Sequence, residues 1–286
     1  MRLFYVALFF LIVSSCKSDL NLIIPADAPG MINDTPLTYE EKLDIPYGKD
    51  VLQNYDLYLP SKKNQRNPVI VLVHPGAWRI GDKKAVNFLV KILIDKRVNC
   101  AIVNTNYRLT SSPGITYVQQ IQDINSLLNK VKNDAPSLGI SSNFYLVGIS
   151  AGGHLSMLYS NTGLGDKLAQ GVAAVVPPVD LTSQRMREGD IGPDVKRLIG
   201  KPFTEAREEY YLASPVFFYH PRSKPTVVFF GAKDETVPLE QAETCKNFLI
   251  AGRVNHEFHL YPNQNHNWDI WDETVNKIIA FAEKNL

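Results

Sequence analysis

The chain has 286 residues, of which 45% are hydrophobic and 21% are charged, so it is long enough to bury one large core and is not compositionally disordered. Its 30 Lys and Arg residues nearly balance its 29 Asp and Glu residues, and the two signs are mixed along the chain. This balance provides no basic stripe or acidic tail, and we expect no nucleic-acid partner.

The N-terminal residues have the pattern of an export signal. Met1 and Arg2 precede an apolar run at residues 3–13, which is too short to span a bilayer comfortably. The run closes in the sequence Val-Ser-Ser-Cys, which resembles the bacterial lipobox, in which the Cys is lipidated and becomes the mature N-terminus. The resemblance implies a signal peptide at residues 1–15 and an exported lipoprotein, periplasmic or at the cell surface, anchored to the membrane through Cys16. An ordinary secretion signal with an incidental Cys is the alternative.

Residues 16–38 are predicted to be a tether, because their prolines and glycine let no amphipathic period persist. Apolar residues then alternate or cluster at 42–47 and 55–59, on either side of the turn sequence Gly-Lys-Asp at 48–50. We expect these two segments to form an antiparallel pair at a sheet edge. They open a single domain that spans residues 39–286.

The rest of the chain alternates predicted strands with amphipathic helices. Apolar β-branched or aromatic runs, as expected of strands covered on both faces, occur at 69–73, 101–104, 144–147, 172–176, 227–230 and 258–261. Helical periodicity occurs at 85–94, 118–131, 151–160, 239–250 and 273–282. The alternation predicts an α/β fold, a mostly parallel twisted sheet with helices on both faces. Residues 181–219 break the pattern and are predicted to be a small insertion over the carboxyl ends of the strands, where ligands bind.

The strongest local signal is a serine flanked by glycines. The sequence Gly-Ile-Ser-Ala-Gly at 148–152 directly follows the predicted strand at 144–147 and directly precedes a helical pattern. This is the G-x-S-x-G nucleophile elbow, whose glycines permit a tight turn that holds the hydroxyl clear of the backbone. Ser150 is also expected at a helix N-terminus, where free N–H groups favour negative charge. We therefore predict Ser150 to be a catalytic nucleophile.

Two further motifs extend this pattern into a family resemblance. The sequence His-Pro-Gly-Ala-Trp at 74–78 follows one predicted strand, and Asn-Tyr-Arg-Leu at 106–109 follows the next. With the elbow, they resemble the esterase/lipase branch of the α/β-hydrolase superfamily, which includes hormone-sensitive-lipase-like esterases and bacterial acetyl and feruloyl esterases. The resemblance covers nearly all of residues 39–286 and implies an α/β-hydrolase fold with a small cap insertion.

The resemblance also assigns oxyanion donors. By the family's pattern, the amides of Gly76, Ala77 and Ala151 hold the oxyanion of the tetrahedral intermediate, and small residues let the backbone come close to it. In that pattern, His74 supports the loop formed by residues 74–78 and is not the general base. Pro75 stands where the family usually has Gly, which removes one N–H and fixes φ. This departure leaves open which loop amides point inward.

A nucleophilic serine needs a base, and the base needs an acid that fixes its tautomer. The superfamily order is Ser, then Asp or Glu, then His. Of the six histidines, His266 lies in the polar loop 262–267 between the last strand and the last helix, where this fold carries its catalytic His. Asp234 follows the strand at 227–230 in a segment that resembles the family's G-x-x-D-x-x-V-P, which presents the acid. Asp180, which follows an earlier core strand, is the alternative acid.

The combination predicts a serine esterase, a carboxylic-ester hydrolase acting through an acyl-enzyme on a small-molecule or polysaccharide ester. Acetyl and feruloyl esters of polysaccharides are the candidate substrates, by resemblance. A secreted peptidase of the prolyl-oligopeptidase type and a catalytically silent binding scaffold are the alternatives. No H-E-x-x-H, paired C-x-x-C or G-x-G-x-x-G motif occurs at a suitable place, so no metal or other cofactor is expected. We expect Cys100 and Cys245 to be buried thiols, and the sequence leaves the oligomeric state open.

Overall fold

The computed structural model describes residues 37–163 and 168–285, which build a central sheet of eight strands. The strands are β1 (Tyr39–Pro46), β2 (Asn54–Pro60), β3 (Val69–Val73), β4 (Ile102–Thr105), β5 (Phe144–Ile149), β6 (Ala169–Val175), β7 (Thr226–Gly231) and β8 (His256–Tyr261). The predicted signal peptide, the lipidation site at Cys16 and nearly all of the predicted tether lie outside the described residues.

The sheet is mostly parallel, as predicted. Its strand order is β1-β2-β4-β3-β5-β6-β7-β8; β1 pairs with β2 and β2 with β4 in antiparallel fashion, and every other pairing is parallel. The central strands therefore end at one edge of the sheet. Val73, the last residue of β3, lies opposite Gly148 of β5, so the loop after β3 leaves the sheet beside the serine elbow after β5.

Helices cover both faces of the sheet. They are α1 (Asn87–Asp95), α2 (Tyr117–Leu138), α3 (Ala151–Asn161), α4 (Gln184–Glu188), α5 (Gly192–Ile199), α6 (Arg207–Leu212), α7 (Leu239–Ala251) and α8 (Trp271–Asn285). Alternate strand residues enter opposite cores: Val71 packs in the cluster that holds α2, α3 and α7, whereas Leu72 packs in the cluster that holds α1 and α8. This two-sided burial explains the unbroken apolar run of β3.

The observed elements differ from the predicted ones at three places. β8 is an edge strand with partly exposed residues, so the prediction that it is covered on both faces is wrong. The first helical segment begins as a 3-10 turn at Lys83–Val86, capped by Asp82. α2 continues to Leu138 although Pro136 lies inside it, and it ends at Gly139, whose φ of 70° is typical of a helix C-cap.

Residues 181–219 form an insertion between β6 and β7, as predicted. The insertion contains α4, α5, α6 and a 3-10 turn at Pro215–Phe218. Its helices are short and charged on the outside, which accounts for the loss of a long apolar period in the sequence. Cys100 and Cys245 are buried thiols, in agreement with the prediction.

Candidate active site

Three side chains predicted from separate motifs meet at the carboxyl edge of the sheet. The hydroxyl of Ser150 lies 3.0 Å from Nε2 of His266. Nδ1 of the same ring lies 2.8 Å from Oδ2 of Asp234. A carboxylate can only accept, so Nδ1 carries a proton and donates it to Asp234, which leaves Nε2 free to accept the hydroxyl proton of Ser150. The geometry is that of a nucleophile, a base and an orienting acid.

The backbone at Ser150 adopts a conformation that few non-glycine residues occupy. Its φ is 51° and its ψ is −118°, and its N–H donates to the carbonyl of Val175 on β6 at 2.8 Å. Such strain persists only where the surroundings fix it, and it is common at active sites. Gly152 permits the close approach of α3 to β3, because a Cβ at this position would lie 2.1 Å from the Val73 carbonyl oxygen. Helix α3 therefore begins against the end of β3, with Ser150 at its N-cap.

The predicted oxyanion loop, residues 74–78, turns sharply after β3. Gly76 has a φ of 130°, and a Cβ on it would lie 1.9 Å from the carbonyl oxygen of Ile80, so only glycine fits. The Gly76 carbonyl accepts the N–H groups of Arg79 and Ile80, each at 3.0 Å, which closes the loop on itself. Gly76 and Ala77 line the same cavity as Ser150 and Ala151. All four predicted oxyanion and nucleophile positions thus surround one space.

Asp234, and not Asp180, is joined to the histidine. Oδ1 of Asp234 accepts the backbone N–H groups of Thr236 at 3.0 Å and Val237 at 2.7 Å, which leaves Oδ2 directed at His266. Its side chain is only 2% exposed. The carboxylate of Asp180 instead accepts from the backbone N–H and the hydroxyl of Thr182. The structure thus brings the preferred acid into the site and holds the alternative in a local turn.

The cavity beside Ser150 has a volume of about 450 Å³ and is lined mainly by apolar groups. Its lining residues are Pro75, Gly76, Ala77, Trp78, Ile80, Gly81, Ala85, Ile149, Ser150, Ala151, Ile191, Thr236, His266 and Asn267. Among these described residues none is Asp, Glu, Lys or Arg, so the cavity suits an uncharged group. A wider cleft of about 670 Å³ lies between residues 110–116 and α5, but no histidine or carboxylate lines it. Ser150 and His266 line the smaller cavity.

Several lining residues lie outside the sequence motifs described above. Thr236 lies two residues after Asp234, and Asn267 directly follows His266. Both are in loops that follow strands of the sheet, and that position is a signal for substrate contact. Ile191 comes from the insertion, so the insertion contributes one wall of the cavity beside Ser150. An ion pair of 2.6 Å between Arg79 and Asp194 further joins the loop after β3 to α5. No sequence rule could have paired those two residues.

His74 is a buried part of the loop support. Its side chain donates through Nδ1 to the carbonyl of Pro75 at 2.7 Å, and its ring stacks on Tyr107 with centroids 4.3 Å apart. Burial lowers the pKa of His74 to about 4, so the ring is neutral near neutral pH. His266, and not His74, lies within hydrogen-bonding distance of the Ser150 hydroxyl, whereas the side chain of His74 contacts Pro75 and Tyr107.

A second buried histidine, His154 on α3, was not assigned a role from the sequence. Nδ1 of its ring accepts from the indole N–H of Trp78 at 3.1 Å, and Nε2 donates to the carbonyl of Ala213 at 2.7 Å. Burial lowers the pKa of His154 to about 4. The imidazole is therefore neutral and uses both nitrogens inside the protein.

We predict that the two neutral, buried histidines make the protein less stable in acid. Burial lowers the pKa of His154 to about 4, so this residue binds a proton more tightly in the unfolded chain than in the folded protein. The neutral His154 therefore makes its full contribution to stability above pH 6.5, and that contribution is lost as the pH falls toward 4. A shift of this size corresponds to about 2 kcal/mol between pH 8 and pH 5. Urea unfolding at both pH values measures how much unfolding free energy is lost between pH 8 and pH 5. A His154→Gln variant should lose less than the wild-type protein, by about this amount.

The exposed His220 provides the control for this measurement. A His220→Gln variant makes the same substitution at a solvent-exposed position and shows how much of the change comes from the substitution itself. Identical losses in the wild-type protein and the His154→Gln variant would contradict the prediction.

The part of the chain that the structure describes offers neither a metal site nor a membrane span. No group of three or more His, Cys, Asp or Glu side chains is placed there to hold a metal ion. No helix within residues 37–163 and 168–285 combines the length and apolar character needed to cross a bilayer.

Comparison with known proteins places the chain in a family. The BD-FAE family model matches residues 55–249, about two thirds of the chain. The chain is 26% identical over 240 residues to isoprenylcysteine alpha-carbonyl methylesterase ICME of Arabidopsis thaliana, covering 78% of this chain and 55% of that one. It is 24% identical over 256 residues to esterase LipC of Mycobacterium tuberculosis, covering 82% and 61%. The chain thus spans little more than half the length of these curated relatives.

The fold is shared with solved esterase structures. A truncated carbohydrate esterase from gut microbiota superposes with a TM-score of 0.73 at 20% sequence identity, covering 91% of this chain and 99% of that one. The eight-stranded sheet, the flanking helices and this similarity confirm the predicted α/β-hydrolase fold.

Proposed function

Because the chain belongs to the BD-FAE family, within the esterase/lipase branch of the α/β-hydrolases, we propose that it hydrolyses carboxylic esters with Ser150 as the nucleophile. The observation that carries the proposal is the hydrogen-bonded series from Ser150 through His266 to Asp234, at the mouth of an uncharged cavity. Related chains named as methylesterase and esterase support the ester as the reacting group.

The first half of the proposed reaction forms an acyl-enzyme. Nε2 of His266 takes the hydroxyl proton as Ser150 Oγ attacks the ester carbonyl, and Asp234 stabilises the resulting imidazolium. The negative oxygen of the tetrahedral intermediate is held by backbone amides, for which we propose Gly76, Ala77 and Ala151. His266 then gives its proton to the leaving alkoxide oxygen as the carbon–oxygen bond breaks.

The second half of the reaction releases the acid. A water molecule gives a proton to His266 and attacks the acyl carbonyl, and the same amides hold the second oxyanion. Collapse of that intermediate returns the proton to Ser150 Oγ and frees the carboxylic acid. Each proton transfer uses the one histidine nitrogen that faces the serine, so no cofactor is needed for the proposed chemistry.

The cavity favours neutral acyl groups of modest size. Charged acyl groups would lose hydration without gaining a partner, because the lining described above offers Ile80, Ile149 and Ile191 but no charged side chain. Among ester substrates, we propose acetyl or feruloyl esters of polysaccharides, a proposal supported by the likeness to a carbohydrate esterase. A peptidase of the prolyl-oligopeptidase type and a silent scaffold are the competing functions.

A substrate panel tests the proposed function. Wild-type protein should hydrolyse p-nitrophenyl acetate with a preference over long-chain p-nitrophenyl esters, and should release acid from acetylated xylan or methyl ferulate. Prolyl peptide anilides should remain uncleaved. Cleavage of the anilides without ester hydrolysis would favour the peptidase, and no turnover of any compound by folded protein would favour the scaffold.

We also propose that the protein is an exported lipoprotein anchored through Cys16. The support is the Val-Ser-Ser-Cys sequence at the end of the apolar run. Mass spectrometry of membrane-extracted protein is expected to find a mature N-terminus at Cys16 that carries two or more acyl chains, since a single chain anchors only weakly. A Cys16→Ser variant should lose the lipid and leave the membrane fraction. A native N-terminal peptide that begins elsewhere and carries no lipid would reject the proposal.

A further inference from the structure

The oxyanion loop is strained at two non-glycine residues. Ala77 has a φ of 48° and Trp78 a φ of 59°, both in the left-handed region that L-residues avoid. A conformation of this kind persists only when neighbouring groups fix it. The carbonyl of Trp78 accepts from the N–H of Thr110 and the side-chain amide of Gln120, each at 2.9 Å. These bonds hold the backbone of Trp78 from the side of α2.

The side chain of Trp78 is held by His154. The indole is fully buried, and its Nε1–H donates to Nδ1 of His154 at 3.1 Å. The two rings meet edge to face, with centroids 5.1 Å apart and planes at 80°. Because Nε2 of His154 donates to the Ala213 carbonyl, the hydrogen is fixed on Nε2 and Nδ1 is always ready to accept the indole proton.

His154 connects three parts of the proposed site. It lies on the first turn of α3, where its own N–H donates to the carbonyl of Ser150 at 2.9 Å. Through Nδ1 it reaches the oxyanion loop, and through Nε2 it reaches the insertion at Ala213. A shift of the loop relative to Ser150 would therefore break a hydrogen bond between two fully buried groups, with no water available to replace it.

We propose that His154 is a positioning residue that acts through Trp78 to hold the neighbouring Ala77 amide at the distance from Ser150 that the oxyanion requires. The inference rests on the proposed function, in which Ala77 is an oxyanion donor. His154 is not among the residues that line the cavity beside Ser150, and its ring nitrogens bond to Trp78 and Ala213. Its effect is on the transition state, where the charge on the oxygen is largest, rather than on substrate binding.

Four variants test the proposal. Trp78→Phe keeps a buried aromatic ring and removes the indole donor, whereas His154→Leu removes the acceptor. Each should lower kcat for p-nitrophenyl acetate about 10- to 100-fold, less than the loss of a whole oxyanion donor, with KM nearly unchanged. His154→Gln, which can both accept and donate, should recover most of the activity. Because both single changes break one interaction, the double variant should be no slower than the worse single variant.

A second readout separates positioning from a general loss of stability. The inhibition constant of a trifluoromethyl ketone, which binds as a tetrahedral oxyanion adduct, should rise in the variants by the same factor as kcat falls. The control is Tyr159→Phe, which removes another side-chain hydrogen bond of α3, the partly buried one to Asn125 at 3.1 Å. It should change the melting temperature without changing kcat or the inhibition constant.

Three results would overturn the inference. They are a folded Trp78→Phe variant with wild-type kcat, losses that add fully in the double variant, and an inhibition constant that stays constant while kcat falls. If Trp78→Phe does not fold, the comparison of His154→Gln with His154→Leu decides, and equal activity in those two contradicts a hydrogen-bonding role. Failure of the proposed function is recognised separately, because wild-type protein would then show no esterase activity. Failure of the positioning role alone leaves the wild-type protein active.

Discussion

Replacing Ser150 with Ala is expected to lower kcat for short acyl esters by about three orders of magnitude or more while leaving the fold intact. The change removes one hydroxyl oxygen, whose hydrogen-bond partner in the structure is Nε2 of His266. Without a nucleophile, only the oxyanion amides and substrate binding remain, and these support residual catalysis by water. The loss should appear in kcat rather than KM, since the hydroxyl contributes mainly to the transition state.

Ser156→Ala is the matched control for this measurement. Ser156 lies on the same helix, is also buried, and donates its hydroxyl to the carbonyl of Gly152 at 2.8 Å. Its removal should leave kcat within a few-fold of the wild-type value, because a single neutral hydrogen bond contributes about 1 kcal/mol to stability and nothing to acyl transfer. Near-wild-type turnover by folded Ser150→Ala would end the serine-hydrolase proposal.

Replacing Asp234 with Asn is expected to lower kcat by about four orders of magnitude. The amide oxygen of Asn can still accept from the N–H groups of Thr236 and Val237, so the loop should keep its shape. The amide NH2 would then face Nδ1 of His266 and make it an acceptor, which moves the ring proton to Nε2. In that tautomer, His266 donates to Ser150 and cannot take its proton.

Asp180→Asn tests the alternative acid. The carboxylate of Asp180 accepts only within its own turn, from Thr182, among the hydrogen bonds of the described residues. Its replacement should change kcat little. Both variants need circular dichroism spectra that match the wild-type spectrum before their activities are compared. A large loss with Asp180→Asn and a small one with Asp234→Asn would reverse the assignment and leave Ser150 and His266 unaffected.

The sequence contained most of the information needed to place the triad. Ser150, Asp234 and His266 each follow a strand of the parallel part of the sheet, and parallel strands deliver such residues to the same edge of the sheet. Local motifs therefore identified residues that are far apart along the chain. The apolar runs also predicted strands correctly where helices cover both faces of the sheet, as at β3. At β8 the run predicted a strand covered on both faces, but β8 is an edge strand whose residues are partly exposed.

Contacts between side chains of distant segments were beyond sequence reasoning. His154 lies within the helix predicted at 151–160, but no periodicity or motif indicates that Trp78 donates to it. The ion pair of Arg79 with Asp194 likewise joins two distant segments that no sequence pattern connects. Such pairs depend on how the insertion packs over the sheet, which follows from the three-dimensional arrangement and not from the order of residues in either segment.

Fluorophosphonate labelling of the folded wild-type protein, followed by peptide mass spectrometry, tests the nucleophile most directly. The phosphorus centre reacts with an activated serine and places its oxygen among the oxyanion donors, so it reports on the whole site. We predict a single adduct on the peptide that contains Ser150, loss of esterase activity in proportion to labelling, and no adduct in Ser150→Ala. Folded protein that hydrolyses esters while Ser150 remains unlabelled would contradict the proposed mechanism.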